Sequence, residues 1–191
     1  KAVSDEIVHG TFMKEGTMVA FPACFPGASV PIPADESRIT ALAVADNHMV
    51  YGGTSGRAAH LFVGIFHGVT GVVFNRGTIK LADHCAAVCC GKSKFFACVN
   101  GPDGGRVVAS ALEPMPFDLI QEWGFNRSSI DEVGKLNGER IVHAINDSAR
   151  TVLIGVTTEH LFTLELDGGK IQIVGEVPGQ GQLAVGSKGG V

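Results

Sequence analysis

The chain has 191 residues, of which 45% are hydrophobic and 18% are charged, with a formal net charge of −4. This composition excludes intrinsic disorder. The absence of a Lys/Arg stripe disfavours a nucleic-acid partner. Because the sequence contains no apolar run of about 18 residues, no transmembrane helix is predicted. We expect a soluble protein, either cytoplasmic or, since the chain opens on Lys1, exported after processing.

Residues 1–36 contain two short apolar runs, around Ile7 and from Met18 to Phe21. A loop follows with prolines at positions 22, 26, 31 and 33, which favours an extended backbone over a helix. We interpret this region as the end of a preceding structural unit plus a long connection.

A repeated pattern begins in residues 37–80. "RITALAVADNHMVYGGTSGRAAHLFVGIFHGVTGVVFN", from Arg38, contains four short apolar runs separated by turns. The order Arg-Ile, Asp turn, Gly-x-Thr, His-Leu-Phe and glycine turn recurs from Arg140 in residues 139–178. Such runs, bounded by Gly and Asp, predict four β-strands in each copy.

A third, degraded copy occupies residues 81–138, with apolar runs at 84–90, 94–99 and 105–112. We interpret residues 113–138 as an insertion, within which Phe117–Phe125 has the spacing of a short helix. Insertions of this kind often shape a binding face. Residues 179–191 restart the pattern at Leu183–Val185, which predicts the first strand of a truncated further unit.

Four-stranded units repeated every 40 residues or so are typical of β-propeller blades. The stretch 50–73, "VYGGTSGRAAHLFVGIFHGVTGVV", resembles the PQQ-type blade pattern, in which Gly-Thr ends the second strand, and Val50–Gly53 resembles the double glycine of kelch blades. The predicted fold is therefore all-β: a partial β-propeller of four-stranded antiparallel blades. Because propellers close with about four to eight blades, we expect another chain, a second copy or missing residues to complete the ring.

Ligands of propellers usually meet the face formed by the loops between second and third strands and by the connections between blades. The first loop type offers Arg57, Asp103 and Glu159, and the second offers Asp83, His84, Glu139 and Arg140. His60 and His160 open the third strands, where the second unit has Arg106, and we interpret these two rings first as structural. Together these side chains could hold a sugar, a carboxylate or a cation, or act as acid and base.

The five cysteines, Cys24, Cys85, Cys89, Cys90 and Cys98, contain no Cys-x-x-Cys motif. We interpret them as small buried hydrophobic residues. A zinc site from His84, Cys85 and Cys89 lacks the usual paired-ligand spacing. No metal site is predicted, and no cofactor can be identified.

Three function classes follow. The first is a scaffold that binds a small molecule, a carbohydrate or a protein partner through its loop face. The second is a carbohydrate-active hydrolase or lyase, which a cluster of two carboxylates, or of Arg, His and acid, in a central pocket would favour. The third is a structural subunit that completes a ring. No catalytic motif appears, which favours the scaffold.

Overall fold

The computed structural model describes residues 11–14, 17–20, 38–46, 48–67, 70–112, 129–147, 151–177 and 183. Within these ranges the chain forms β-strands and no helix, so the all-β prediction is confirmed. None of the described residues belongs to a helix that could cross a membrane. The predictions for Ile7, the proline-rich loop, the helix at 117–125 and Ala184–Val185 lie outside the described residues.

Twelve of the strands form three consecutive antiparallel meanders. The first unit contains β3 (Arg38–Val44), β4 (Val50–Ser55), β5 (Ala59–His67) and β6 (Thr70–Ile79). The second contains β7 (His84–Cys90), β8 (Lys94–Gly101), β9 (Gly104–Ala111) and β10 (Asp131–Lys135), and the third contains β11 (Ile141–Asp147), β12 (Val152–Thr157), β13 (His160–Glu165) and β14 (Ile171–Glu176). Each strand pairs with the next one along its unit, an arrangement that fits a partial β-propeller.

Two further elements complete the description. Strands β1 (Thr11–Lys14) and β2 (Thr17–Ala20) form a hairpin, and β2 pairs in parallel with β6. This hairpin therefore extends the sheet of the first unit. In the second unit, the fourth strand β10 lies within residues 113–138.

The three units are joined by side-chain packing more than by shared sheets. A single residue pair, Ser55 with His84, connects β4 to β7, and the third unit is a separate four-stranded sheet. The side chain of Asn100, at the end of β8, forms two hydrogen bonds with the backbone of Ile141, at the start of β11. The units therefore meet face to face, as successive propeller blades do.

The second unit is buried on both of its faces. In β8, Phe95, Ala97 and Val99 belong to the apolar core shared with the first unit. The alternate residues Phe96 and Cys98 belong to the core shared with the third unit. Because side chains alternate across a strand, a strand buried on both faces consists almost entirely of apolar residues, as β7 and β8 do.

The outward face of the first unit leaves apolar side chains exposed. On β3, Leu42 is 59% exposed and Val44 is 69% exposed. On β14, Ile173 is also exposed, but it pairs with Phe162 and lies on the side of the third unit that faces the second. A further unit placed against β3 would bury Leu42 and Val44.

The repeated Gly-x-Thr and His-Leu-Phe motifs have a common packing role. In the first unit Phe62 pairs across the strands with Gly52, and in the third unit Phe162 pairs with Gly155. Each ring covers its glycine so closely that an added Cβ would lie 2.2 Å from the ring Cζ atom. Glycine is therefore required opposite the phenylalanine, which explains why both residues recur.

Candidate functional site

The hairpin loops between second and third strands lie beside the connections between units. The backbone N–H of Gly56 donates to the carbonyl of Asp83 (3.0 Å), and that of Thr158 donates to the carbonyl of Arg140 (3.1 Å). We call this surface the loop face and define it by residues 56–58, 80–83, 102–103, 136–140 and 158–159. It brings together residues that are distant in sequence.

In the third unit, the loop face orders Glu139, Thr157 and His160 through hydrogen bonds. The Thr157 hydroxyl accepts from the backbone N–H of His160 (2.8 Å) and donates to Glu139 Oε2. The other oxygen, Glu139 Oε1, lies 2.8 Å from His160 Nδ1. Because an ionised carboxylate can only accept, the Nδ1–H of His160 is the donor in this pair.

A third acidic side chain stands beside this network. Glu139, Glu159 and His160 each offer one potential ligand atom within 4.8 Å of the others. Next to them is a pocket of about 490 Å³ lined by Thr158, Glu159, His160, Glu176 and Val177. We call these residues, with Glu139 and Thr157, the acidic pocket.

The electrostatics of the acidic pocket favour positive charge. It contains three carboxylates, those of Glu139, Glu159 and Glu176, and no Lys or Arg among its residues. The neighbouring guanidinium of Arg140 lies 3.8 Å from Asp83, with which it forms an ion pair. Because three carboxylates outnumber one imidazole, the site carries net negative charge, which stabilises a bound cation.

The first unit contains the same hairpin without the carboxylates. The Thr54 hydroxyl accepts from the backbone N–H of His60 at 2.9 Å, as Thr157 does from His160. The His60 ring is buried, and its Nδ1 lies 3.2 Å from the Thr78 hydroxyl. The hairpin hydrogen bond is thus the shared structural feature, whereas the residue before the histidine is Ala59 in the first unit and Glu159 in the third.

A second polar cluster joins the first two units. The Thr40 hydroxyl donates to the carbonyl of Cys85 (2.7 Å), Ser55 Oγ lies 2.9 Å from Thr40 Oγ1, and His84 Nδ1 lies 2.6 Å from Ser55 Oγ. Burial lowers the pKa of His84, with a further contribution from Arg140 that the carboxylate of Asp83 opposes. These side chains form a continuous chain of hydrogen bonds at the single residue pair that connects β4 to β7. The cluster therefore links the first and second units.

The remaining predicted residues do not converge on the acidic pocket. Arg57 and Asp103 are exposed at the tips of two other hairpin loops. The Arg106 guanidinium lies 3.6 Å from the Glu132 carboxylate and also contacts the carbonyl of Lys80. Of the ten candidate residues, Glu139, Glu159 and His160 belong to the acidic pocket.

The interpretation of the cysteines as buried residues holds for Cys85, Cys89 and Cys98, and the more exposed Cys90 is also a free thiol. Burial raises the pKa of Cys85 and of Cys89 to about 12, which keeps both thiols protonated at neutral pH. A bulge after Cys85 places it in the core of the first and second units, whereas Cys89 lies in the core of the second and third. These two thiols therefore cannot share a metal ion with His84.

Four residues of the acidic pocket were not among the candidates: Thr157, Thr158, Glu176 and Val177. Thr157 was visible only as the threonine of the repeated Gly-x-Thr motif. Glu176 ends β14 with no sequence signal of its own.

Comparison with known proteins adds no further assignment. No protein-family model matches the chain, and no curated protein sequence matches it. The acidic pocket and the arrangement of the three units therefore carry the functional argument.

Proposed function

We propose that this chain is a scaffold of the PQQ/kelch-like β-propeller kind whose loop face binds a cationic ligand in the acidic pocket. The observation that carries the proposal is the convergence of Glu139, from a connection between units, with Glu159 and His160, from a hairpin loop. Two loops that are 20 residues apart supply one concave site, and three carboxylates give it a single sign of charge. A small amine, or a basic side chain of a protein partner, has the matching charge.

The half-buried carboxylate of Glu139 is ordered in a way that supports binding. Glu139 is held by the Thr157 hydroxyl and by His160, so its carboxylate keeps its orientation without a ligand. A site that is ordered beforehand loses less conformational entropy when a ligand binds. Glu159 is exposed at the loop tip, where it can close on the ligand.

A titration with 1,4-diaminobutane, a simple dication, tests this proposal. We expect amide resonances of residues 158–160 and 176–177 to shift in NMR spectra of the full chain, and Glu159→Gln to weaken binding about tenfold because one carboxylate is lost. Glu165→Gln, which removes an exposed carboxylate of β13 outside the pocket, is the matched control. Shifts spread evenly over all acidic surfaces, or equal affinity of the two variants, would refute a specific site.

A ring-completing subunit is the second candidate function. The exposed apolar side chains Leu42 and Val44 on β3 favour it, because they lie on a face against which a neighbouring blade would pack. We expect light scattering on a size-exclusion column to give a dimer, or a complex with a second chain, instead of the 19.9 kDa monomer. Leu42→Glu with Val44→Glu should then shift the mass to that of the monomer, while a well-folded wild-type monomer would contradict ring completion.

The carbohydrate-active enzyme remains the alternative proposal for the same residues. A carboxylate on Nδ1 leaves Nε2 of His160 free to remove a proton, which is the arrangement of a general base. Turnover of a polysaccharide by the wild-type chain, abolished in His160→Gln, would favour the enzyme over the scaffold.

A further inference from the structure

We propose that the cation bound in the acidic pocket is a divalent transition-metal ion, held by the imidazole of His160 and the carboxylates of Glu139 and Glu159. This inference rests on the proposed function, since it names the class of cation. The same three residues supply one nitrogen and two oxygen donors within 4.8 Å of one another.

The donors lie near enough to one another for small side-chain movements to form a coordination sphere. Glu139 Oε1 and His160 Nδ1 are 2.8 Å apart, and the donor atoms of all three residues lie within 4.8 Å of one another. Two donors that each lie about 2.0–2.2 Å from a tetrahedral zinc ion are separated by roughly 3.3–3.6 Å. The first pair needs to open by roughly 0.5–0.8 Å, and the ion takes the place of the proton that the two atoms now share.

Hydrogen bonds hold the backbone of all three ligand residues. The carbonyl of Glu139 accepts from the N–H of Gly105 (2.6 Å), the carbonyl of Glu159 accepts from the N–H of Val177 (2.7 Å), and the N–H of His160 donates to the Thr157 hydroxyl. The Thr157 hydroxyl also donates to the second oxygen of Glu139. A hydrogen bond of this last kind, to the ligating side chain itself, orients the donor and raises metal affinity.

The comparison between the two hairpins separates the structural role from the ligand role. His60 and His160 occupy the same position, and each donates its backbone N–H to a threonine. Nδ1 of His60 lies beside the Thr78 hydroxyl, whereas Nδ1 of His160 lies beside a carboxylate at an open pocket. Hairpin closure therefore does not require Glu139 or Glu159, and both carboxylates are available to bind a metal ion.

The donor set selects among metals. Mg²⁺ and Ca²⁺ prefer oxygen donors throughout, whereas imidazole favours ions such as Zn²⁺. Three protein ligands also leave one position of a tetrahedral zinc ion open toward the pocket. We therefore expect Zn²⁺ to bind and an equal concentration of Mg²⁺ not to displace it.

The test is a titration of the chelator-treated full chain with ZnCl₂ by isothermal calorimetry. We expect His160→Gln, Glu139→Gln and Glu159→Gln each to weaken zinc binding at this site by tenfold or more. The matched controls are Glu165→Gln and His48→Asn, which replace an exposed carboxylate and an exposed imidazole outside the pocket. Asparagine suits position 48 because its φ is 62°.

A second readout identifies the ligand atom and guards against loss of folding. The side-chain nitrogen resonances of His160 should shift on addition of zinc, and those of His48 should not. If Glu139→Gln unfolds, the exposed Glu159→Gln variant still provides the test. Zinc affinity unchanged in all three variants, or unmoved His160 resonances, would mean adventitious binding and would overturn the metal site.

The diamine titration distinguishes failure of this inference from failure of the proposed function. If the chain binds the diamine but does not bind zinc, the cation pocket is retained and the metal site is overturned. If His160→Gln loses zinc binding but keeps diamine binding, both proposals are supported, because an organic cation needs the carboxylates and not the imidazole. Absence of both would overturn both proposals.

Discussion

Gly155→Ala should lower the free energy of unfolding by about 3 kcal/mol, the cost of severe overpacking in a core. A Cβ atom at this position would lie 2.2 Å from Cζ and 2.3 Å from Cε1 of Phe162. The Phe162 ring is fully buried against the second unit and cannot move away without disturbing that core. Urea denaturation followed by circular dichroism measures the loss.

Gly175→Ala is the matched control, since an added Cβ there meets nothing within 4 Å. We expect its stability to stay within about 0.5 kcal/mol of wild type. The double variant Gly155→Ala with Phe162→Leu should recover part of the loss, because the smaller side chain makes room for the new methyl group. If Gly155→Ala is as stable as wild type, the ring does not cover the glycine as described.

Asn100→Leu is the other substitution for which we expect a large effect, about 4 kcal/mol of stability. The Asn100 amide donates to the carbonyl of Ile141 (2.8 Å) and accepts from its N–H (2.7 Å), and both residues are buried. Leucine keeps the approximate shape but leaves two buried backbone groups without partners. Each such group costs about 1–3 kcal/mol.

The control for this prediction is Gln172→Leu, which replaces an exposed amide on β14 and should change stability little. Asn100→Asp separates hydrogen bonding from shape. Its ionised carboxylate can accept from the N–H of Ile141 but cannot donate to the carbonyl, so we expect an intermediate or larger loss at neutral pH. Equal stability of Asn100→Leu and wild type would show that this pair of bonds does not join the units.

These two predictions concern how the units are held together. The second and third units share no sheet, so their relative position depends on the apolar core between them and on polar contacts such as that of Asn100. The acidic pocket itself combines a connection that follows the second unit with a hairpin of the third. Loosening the contact between units is therefore expected to disturb the ligand site as well.

The sequence by itself determined the order of the strands and most of their limits. The runs predicted at 84–90 and 94–99 correspond to β7 (His84–Cys90) and β8 (Lys94–Gly101). Strand formation with turns at Gly and Asp is a local property, so the pattern of a few neighbouring residues is sufficient to predict it. The loop face followed from the same regular alternation of strands and turns.

Only the tertiary structure decided which residues meet. Strand β10 has no apolar alternation, and it forms because β9 offers hydrogen-bonding groups along its edge. The bulge after Cys85 decides which core each cysteine enters. Glu139 and His160 are 21 residues apart and come within 2.8 Å because the connection and the hairpin are folded against each other. Such contacts depend on strand twist, bulges and the packing of whole units, which no local pattern of residues contains.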